Sequence, residues 1–161
     1  MPVVTIRIEE SLWDAANALR REDWRISITG LTEEGCLGDE DDSLLLVSHG
    51  ETMIALATFD AEGAPRALHE VALTDLRSHV EEYLAIIARM QRNDANDLSA
   101  HMHTLDMAKK VVHDAGARTL ARAMPELARD HESYRRLFSL VLSIVVDVTK
   151  LPGAVAHRRH V

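Results

Sequence analysis

The residues able to do chemistry gather in the C-terminal half of this 161-residue chain. Among its nine histidines, His101, His103 and His113 stand close in sequence to Asp106, a combination that invites a metal site. The spacing argues against one. On a helix, His101 and His103 point to opposite sides, because neighbouring ligands need separations of three or four residues. His103 and Asp106 meet that condition, but Asp106 and His113 are separated by about 10 Å of helix rise and form no direct dyad. Lys110 falls between them on the same stripe and puts an ammonium where a cation would have to sit. The simpler expectation is a surface pair between Asp106 and Lys110, contributing about 0.2–0.5 kcal/mol. With no strong zinc spacing, neither a metal nor any other cofactor is expected.

Arg135 and Arg136 pose a sharper question. Asp130 is placed to cap a last helix, so both cations fall near its start, where they oppose the helix dipole. Something anionic should answer them. One answer is a small anionic ligand held by the two arginines, with His113 from the preceding helix nearby and Asp106 in support. The other is Glu132, three and four residues before them, pairing with both. Helix pairs of this kind are common, and the second answer is the preferred expectation.

Other candidates read as structural. Asp39-Glu40-Asp41-Asp42 lacks the glycine-punctuated loop of a calcium site and is expected to be a solvated turn. Cys36 has no base near it in sequence, so a buried, inert thiol is expected. His69 and His79 are expected to be surface or hydrogen-bonded histidines. Phosphate-binding glycine loops, nucleophile elbows and paired-cysteine motifs do not occur.

The elements that must position these residues divide the chain in two. Val4, Ile6 and Ile8 alternate with polar residues as in a strand. Leu12, Ala15, Ala16 and Leu19 recur at helical spacing, with Ser11 a weak cap. Trp24, Ile26 and Ile28 alternate like a strand, while Trp24, Ile28 and Leu31 fit a helix face; periodicity leaves both open. Runs from Ser43 to Ser48, Thr52 to Phe59 and Arg66 to Leu73, joined by short turns, predict an antiparallel meander.

From Thr74, a plausible cap, the period becomes helical. Leu76, Val80, Tyr83, Leu84, Ile87 and Met90 mark a helix that ends near Asn93. A second helix, capped by Ser99, runs until Pro125 limits it. Gly116 inside it costs about 1 kcal/mol relative to alanine, which a close helix crossing or a break would explain. The third helix runs from Asp130 to about Thr149 and is apolar all round, hence central in the core.

The segment from Leu105 to Gly116, with Asp106-Met107-Ala108-Lys109-Lys110 and His113-Asp114-Ala115-Gly116, and the segment Arg135-Arg136-Leu137-Phe138-Ser139-Leu140 resemble uncharacterised protein family 0262, a set of small bacterial proteins. Leu73 to Ile87 and Ile26 to Leu37 are similar to their counterparts, so the likeness spans most of the chain. The resemblance implies a helix over residues 18–34 and supplies no activity. Where the family reads His-Asn-Glu-Gly, this chain has Ala115 in place of the glutamate.

The expected architecture is α+β in a single domain over residues 1–161. A small antiparallel sheet of about four strands packs against a C-terminal three-helix group and an N-terminal helix. Residues 1–73 form the strand-rich half, 74–150 the helical half and 151–161 a mobile tail. The formal net charge of −8 is uneven, with residues 1–73 at −10 and 74–161 at +2. Acidity together with 4% aromatic residues speaks against nucleic-acid binding. The most apolar run, Leu137 to Val146, is about half the roughly 20 residues that a membrane span needs. No membrane association and no targeting segment are expected, and one cysteine suits a cytoplasmic protein.

Two functions follow as expectations. The first is a non-catalytic binding or regulatory protein acting through a helical face, as a homodimer or with a protein partner. The second is an enzyme or small-anion site formed by His113, Arg135 and Arg136.

Overall fold

The computed structural model describes residues 5–94 and 99–147. The chain opens with β1 (Thr5–Ile8), α1 (Glu10–Ala15) and α2 (Ala18–Glu34), followed by β2 (Leu44–His49), β3 (Met53–Phe59) and β4 (Pro65–Ala72). The helical half is α3 (Leu73–Asp94), α4 (Ser99–Ala123) and α5 (His131–Val145). This is the α+β arrangement that the sequence predicts. The four strands lie in the order β1-β2-β3-β4.

The sheet is mixed, where the patterning predicts antiparallel pairing throughout. β2, β3 and β4 form the expected meander, but β1 pairs with β2 in parallel, Ile6 opposite Leu45. The reason is the connection: α1 and α2 carry the chain back before β2 begins, and parallel neighbours need a crossover of that kind.

Residues 18–34 are helical, and Trp24 is fully buried on α2. Helix formation breaks at Ala16-Asn17, so the expected single N-terminal helix is two. Glu9, rather than Ser11, caps α1 by accepting from the Ser11 and Leu12 amides. Asn17 caps α2 by accepting from the Arg20 amide at 2.8 Å. Thr74 lies inside α3 rather than capping it, because the Leu73 N–H already donates to the Thr52 carbonyl at 2.9 Å.

Asp130 caps α5 as expected, its Oδ1 accepting from the Ser133 amide at 2.7 Å. α5 ends at Val145, short of the expected Thr149, because the backbone of Val146 is already extended; the tail lies outside the described residues. α3 runs to Asp94, as expected of a helix ending near Asn93, and α4 opens with Ser99 as a helical residue; residues 95–98 between them lie outside the described residues. Nine residues of α5, among them Leu137, Phe138, Leu140 and Val141, are buried, which makes it the central helix of the core.

One hydrophobic cluster joins the inner sheet face (Ile6, Leu45, Val47, Ile54, Leu56, Val71) to Trp24 and Leu31 of α2 and to the three C-terminal helices. Gly116 reveals how tightly α4 and α5 cross: a Cβ there would lie 2.3 Å from two carbons of the Phe138 ring. The helix runs unbroken through it, so close packing is its reason.

Two polar expectations need correction. Asp39-Glu40-Asp41-Asp42 is more than a solvated turn. Asp42 is buried and pairs with Arg66 Nε at 2.8 Å, while Asp39 receives Arg66 Nη2 at 3.1 Å. The bulge in β4 beside Arg66 brings the guanidinium over this corner. Cys36 is exposed, not buried: it follows the end of α2, and only the next residue, Leu37, turns inward to bridge Ala128. Among the described residues no helix is long and apolar enough to cross a membrane.

Candidate functional site

Asp106, Lys109, Lys110 and His113 recur on α4 at i, i+3, i+4 and i+7, and Glu132, Arg135, Arg136 and Ser139 repeat that spacing on α5. Residues so spaced share one helix face. The two faces meet across an open cleft of about 530 Å³, which these eight residues line together with His103 and Met107. All four residues singled out from the sequence, His113, Arg135, Arg136 and Asp106, therefore stand around one cavity, with Asp106 and His113 a helix turn or more apart along it.

His113 sits at the inner end. Its ring lies edge-on to Phe138 with centroids 5.4 Å apart, and to Tyr83 at 5.7 Å. Nδ1 is 2.9 Å from the Lys109 carbonyl, an oxygen that can only accept, so Nδ1 carries the proton and Nε2 holds the lone pair. Burial pushes the imidazole pKa down, and the charges of Arg135 and Lys109 push the same way against the backbone bond and Asp114. His113 is thus a neutral ring at neutral pH.

Lys109 is unusual for its type, only 6% exposed. Burial lowers its pKa, and Asp106 opposes the shift. The carboxylate of Asp106 therefore acts on the ammonium at i+3, whereas the expected i+4 pair with Lys110 is not among the ion pairs of the described residues.

The two arginines are answered by carboxylates from three helices. Glu132 lies 3.3 Å from Arg135 Nη1 and 3.5 Å from Arg136 Nε, the double pairing that the spacing predicts. Asp114 of α4 adds an ion pair with Arg135 Nε at 2.8 Å, and Glu34 at the end of α2 pairs with Arg136 Nη2. Asp114 also accepts from His131 at 3.1 Å, and that bond, helped by the charge of Arg135, holds its pKa below the usual range. The Nε atoms of Arg135 and Arg136 are shielded from solvent yet lack a hydrogen bond of good geometry. Arg136 reaches Glu34 by passing Gly30, where a Cβ would stand 3.2 Å from its Nη1.

Sequence reasoning missed Lys109, Asp114 and Glu34. The matched spacings on α4 and α5 were a usable signal for Lys109, but Glu34 is brought in by the α2–α5 packing alone. Ala115, where the family resemblance has glutamate, does not line the cleft. His79 is hydrogen-bonded, its Nε2 2.8 Å from Thr119 Oγ1. Among the described residues no group of three His, Cys, Asp or Glu side chains is arranged to hold a metal ion, and the His101 side chain lies outside them.

Comparison with known proteins gives the family of the chain. The model of the uncharacterised protein family UPF0262 matches residues 2–147. A UPF0262 protein of Rhodopseudomonas palustris (strain TIE-1) is 32% identical over 81 residues, half of either chain. UPF0262 proteins of Bradyrhizobium diazoefficiens and Nitrobacter winogradskyi are 31% and 32% identical over the same length, covering 50% of this chain and 49% and 48% of theirs. The match thus spans about half the length of these curated relatives. No solved structure matches. Since the family model covers all of the described residues, the chain belongs to the uncharacterised bacterial family UPF0262.

Proposed function

We propose that this is a small, non-catalytic binding or regulatory protein of the cytoplasm that holds an organic anion in the cleft between α4 and α5. The observation supporting this is the charge of the lining. Lys109, Lys110, Arg135 and Arg136 stand there against Asp106 and Glu132, in a chain of formal net charge −8. Asp114 and Glu34 complete the pairing of the arginines, so the cleft is near charge balance in a protein whose overall sign repels anions, and its four gathered cations make it the place best suited to receive one. The guanidinium planes suit carboxylate or phosphate groups, and the lone pair on neutral His113 suits a donor on the same ligand.

The test is a thermal-shift screen of di- and tricarboxylates and phosphate esters. A ligand should raise the melting temperature of the wild type, as mass action requires, and Arg136→Ala should abolish that rise. The reading fails if no anion stabilises the wild type, or if Arg136→Ala lowers the melting temperature while leaving the ligand response intact.

A second proposal concerns self-association. By register, Leu44, Leu46, Met53, Ala57, Phe59 and Leu68 share the sheet face opposite the core, and they stand outside the core cluster. Leu68 is 61% exposed. Four strands spaced about 4.8 Å apart give a face of about 400 Å², so two copies stacked through it bury about 800 Å² in all, below the range of stable interfaces. The expected state is a weak homodimer. Sedimentation velocity should show mass rising with concentration for the wild type and not for Leu68→Lys; a wild type that stays monomeric at every concentration removes the dimer.

A further inference from the structure

Of the 18 lysines and arginines in this chain, only Lys109, Lys110 and Lys150 are lysine. Where a solvated cation suffices, the chain uses arginine. Two of its three lysines nevertheless line the cleft, and one of those two, Lys109, is among the few buried charged residues of the fold. Arginine supplies charge in this cleft already, from Arg135 and Arg136. What arginine cannot supply is an amine that sheds its proton, because the guanidinium stays charged at any physiological pH.

Burial makes the Lys109 ammonium easier to deprotonate than a solvated one. Lys109 is nearly closed off from water, which disfavours the ammonium and outweighs the opposing Asp106 carboxylate. Its backbone carbonyl holds the Nδ1–H of His113, and its charge and that of Arg135 both act on the His113 ring. Lys109, His113 and the two arginines thus line one cleft. Desolvated lysines of this kind serve as nucleophiles toward carbonyl carbons.

We propose that Lys109 captures a carbonyl-bearing organic anion, of the α-keto acid class, as a reversible imine while Arg135 and Arg136 hold its carboxylate. The inference rests on the anion-binding reading of the cleft and names the ligand class. The neutral amine attacks the carbonyl carbon, forming the C–N bond as the C=O π pair moves to oxygen. A proton passes from nitrogen to that oxygen to give the carbinolamine. A second proton, from solvent, lets the hydroxyl leave as water while the nitrogen lone pair closes the C=N bond, which yields the protonated imine. No oxidant or reductant is consumed, and hydrolysis returns both partners.

The experiment incubates the full chain with pyruvate, oxaloacetate or α-ketoglutarate, adds sodium borohydride to reduce any imine to a stable secondary amine, and maps the product by mass spectrometry. One adduct per chain, located at Lys109, is expected with at least one of the three acids. It should persist in Lys110→Arg and vanish in Lys109→Arg and Lys109→Met, whose far-UV circular dichroism verifies folding. Absence of an adduct with all three acids overturns the proposal, as does labelling spread evenly over Lys109, Lys110 and Lys150. Stabilisation by malonate, which has no carbonyl able to form an imine, is measured on the same samples. If malonate stabilises the protein and no adduct forms, capture by Lys109 is wrong and the anion site stands; if neither occurs, both readings fall.

Discussion

Gly116 on α4 and the ring of Phe138 on α5 are in such close contact that a single added carbon at Gly116 would come within 2.3 Å of the ring. The same ring backs His113, so this crossing sets how near the polar stripe of α4 stands to that of α5.

Gly116→Ala should therefore destabilise the fold, although alanine is the better helix former by about 1 kcal/mol. Overpacking a rigid aromatic costs about 1–3 kcal/mol, and a net loss of melting temperature is expected. Combining it with Phe138→Leu should cost less than the sum of the two single changes, because the smaller side chain makes room. Additive losses in calorimetry would show that the contact is not what makes glycine necessary.

His113 should make stability depend on pH in one direction. Its folded-state pKa lies below the unfolded value of about 6.5, because burial disfavours the charged ring. The unfolded chain then binds more protons in the window between the two values, so stability rises with pH there. The contribution is fully present above about pH 6.5 and declines as pH falls toward the depressed folded value. Melting curves from neutral pH down to about 5 should show a smaller acid-induced drop for His113→Gln than for wild type; equal drops would assign the acid sensitivity to other groups.

Glu132 competes with any anion for both arginines. Glu132→Gln should cost the free protein only about 0.5 kcal/mol, the scale of exposed helix pairs, while increasing the stabilisation by malonate. Calorimetric titration should show tighter binding for the variant. Unchanged or weaker binding would mean that Glu132 orients the arginines rather than occupying them.

Tyr134 ties the start of α5 to the turn before it: its hydroxyl donates to the Met124 carbonyl at 2.6 Å and accepts from the Ala128 N–H at 3.2 Å. Tyr134→Phe removes the partner of the Ala128 N–H, while the Met124 carbonyl keeps the Leu127 N–H, at a cost of about 1–3 kcal/mol. Chemical denaturation should show this loss, with the helical signal of the native state unchanged.

What could be read from the residues follows from which forces act locally. α3, α4 and α5 announce themselves because their apolar residues recur at the helical period, and the all-round apolar character of Leu137 to Ile144 states its burial directly. β2, β3 and β4 are legible because alternation and short turns point to the same pairing. The direction of β1 is not, since alternation in Ile6 and Ile8 is identical for either orientation, and only the α1–α2 crossover decides it. The cleft was half visible: His113, Arg135, Arg136 and Asp106 could be named from charge and helix position. The helix face of Lys109 is legible from its spacing, but its burial is not, because that depends on how α5 lies across α4, and the ion pair of Glu34 with Arg136 joins residues about a hundred positions apart. Cys36 and Asp42 were misjudged for the same reason, their exposure being set by the turn that bridges Leu37 to Ala128 and by Arg66 of a later strand.

Arg136 belongs at once to the cavity wall and to the fastening of α2, through Glu34. A ligand that draws this guanidinium toward itself takes it from Glu34, and the end of α2 loses one of its ties to α5, keeping the bond from the Cys36 N–H to Ser133. Thermodynamic reciprocity then makes occupancy of the cavity and seating of α2 two readings of one equilibrium: whatever presses on α2 from outside is felt by the ligand, and the ligand is felt on the far surface of α2.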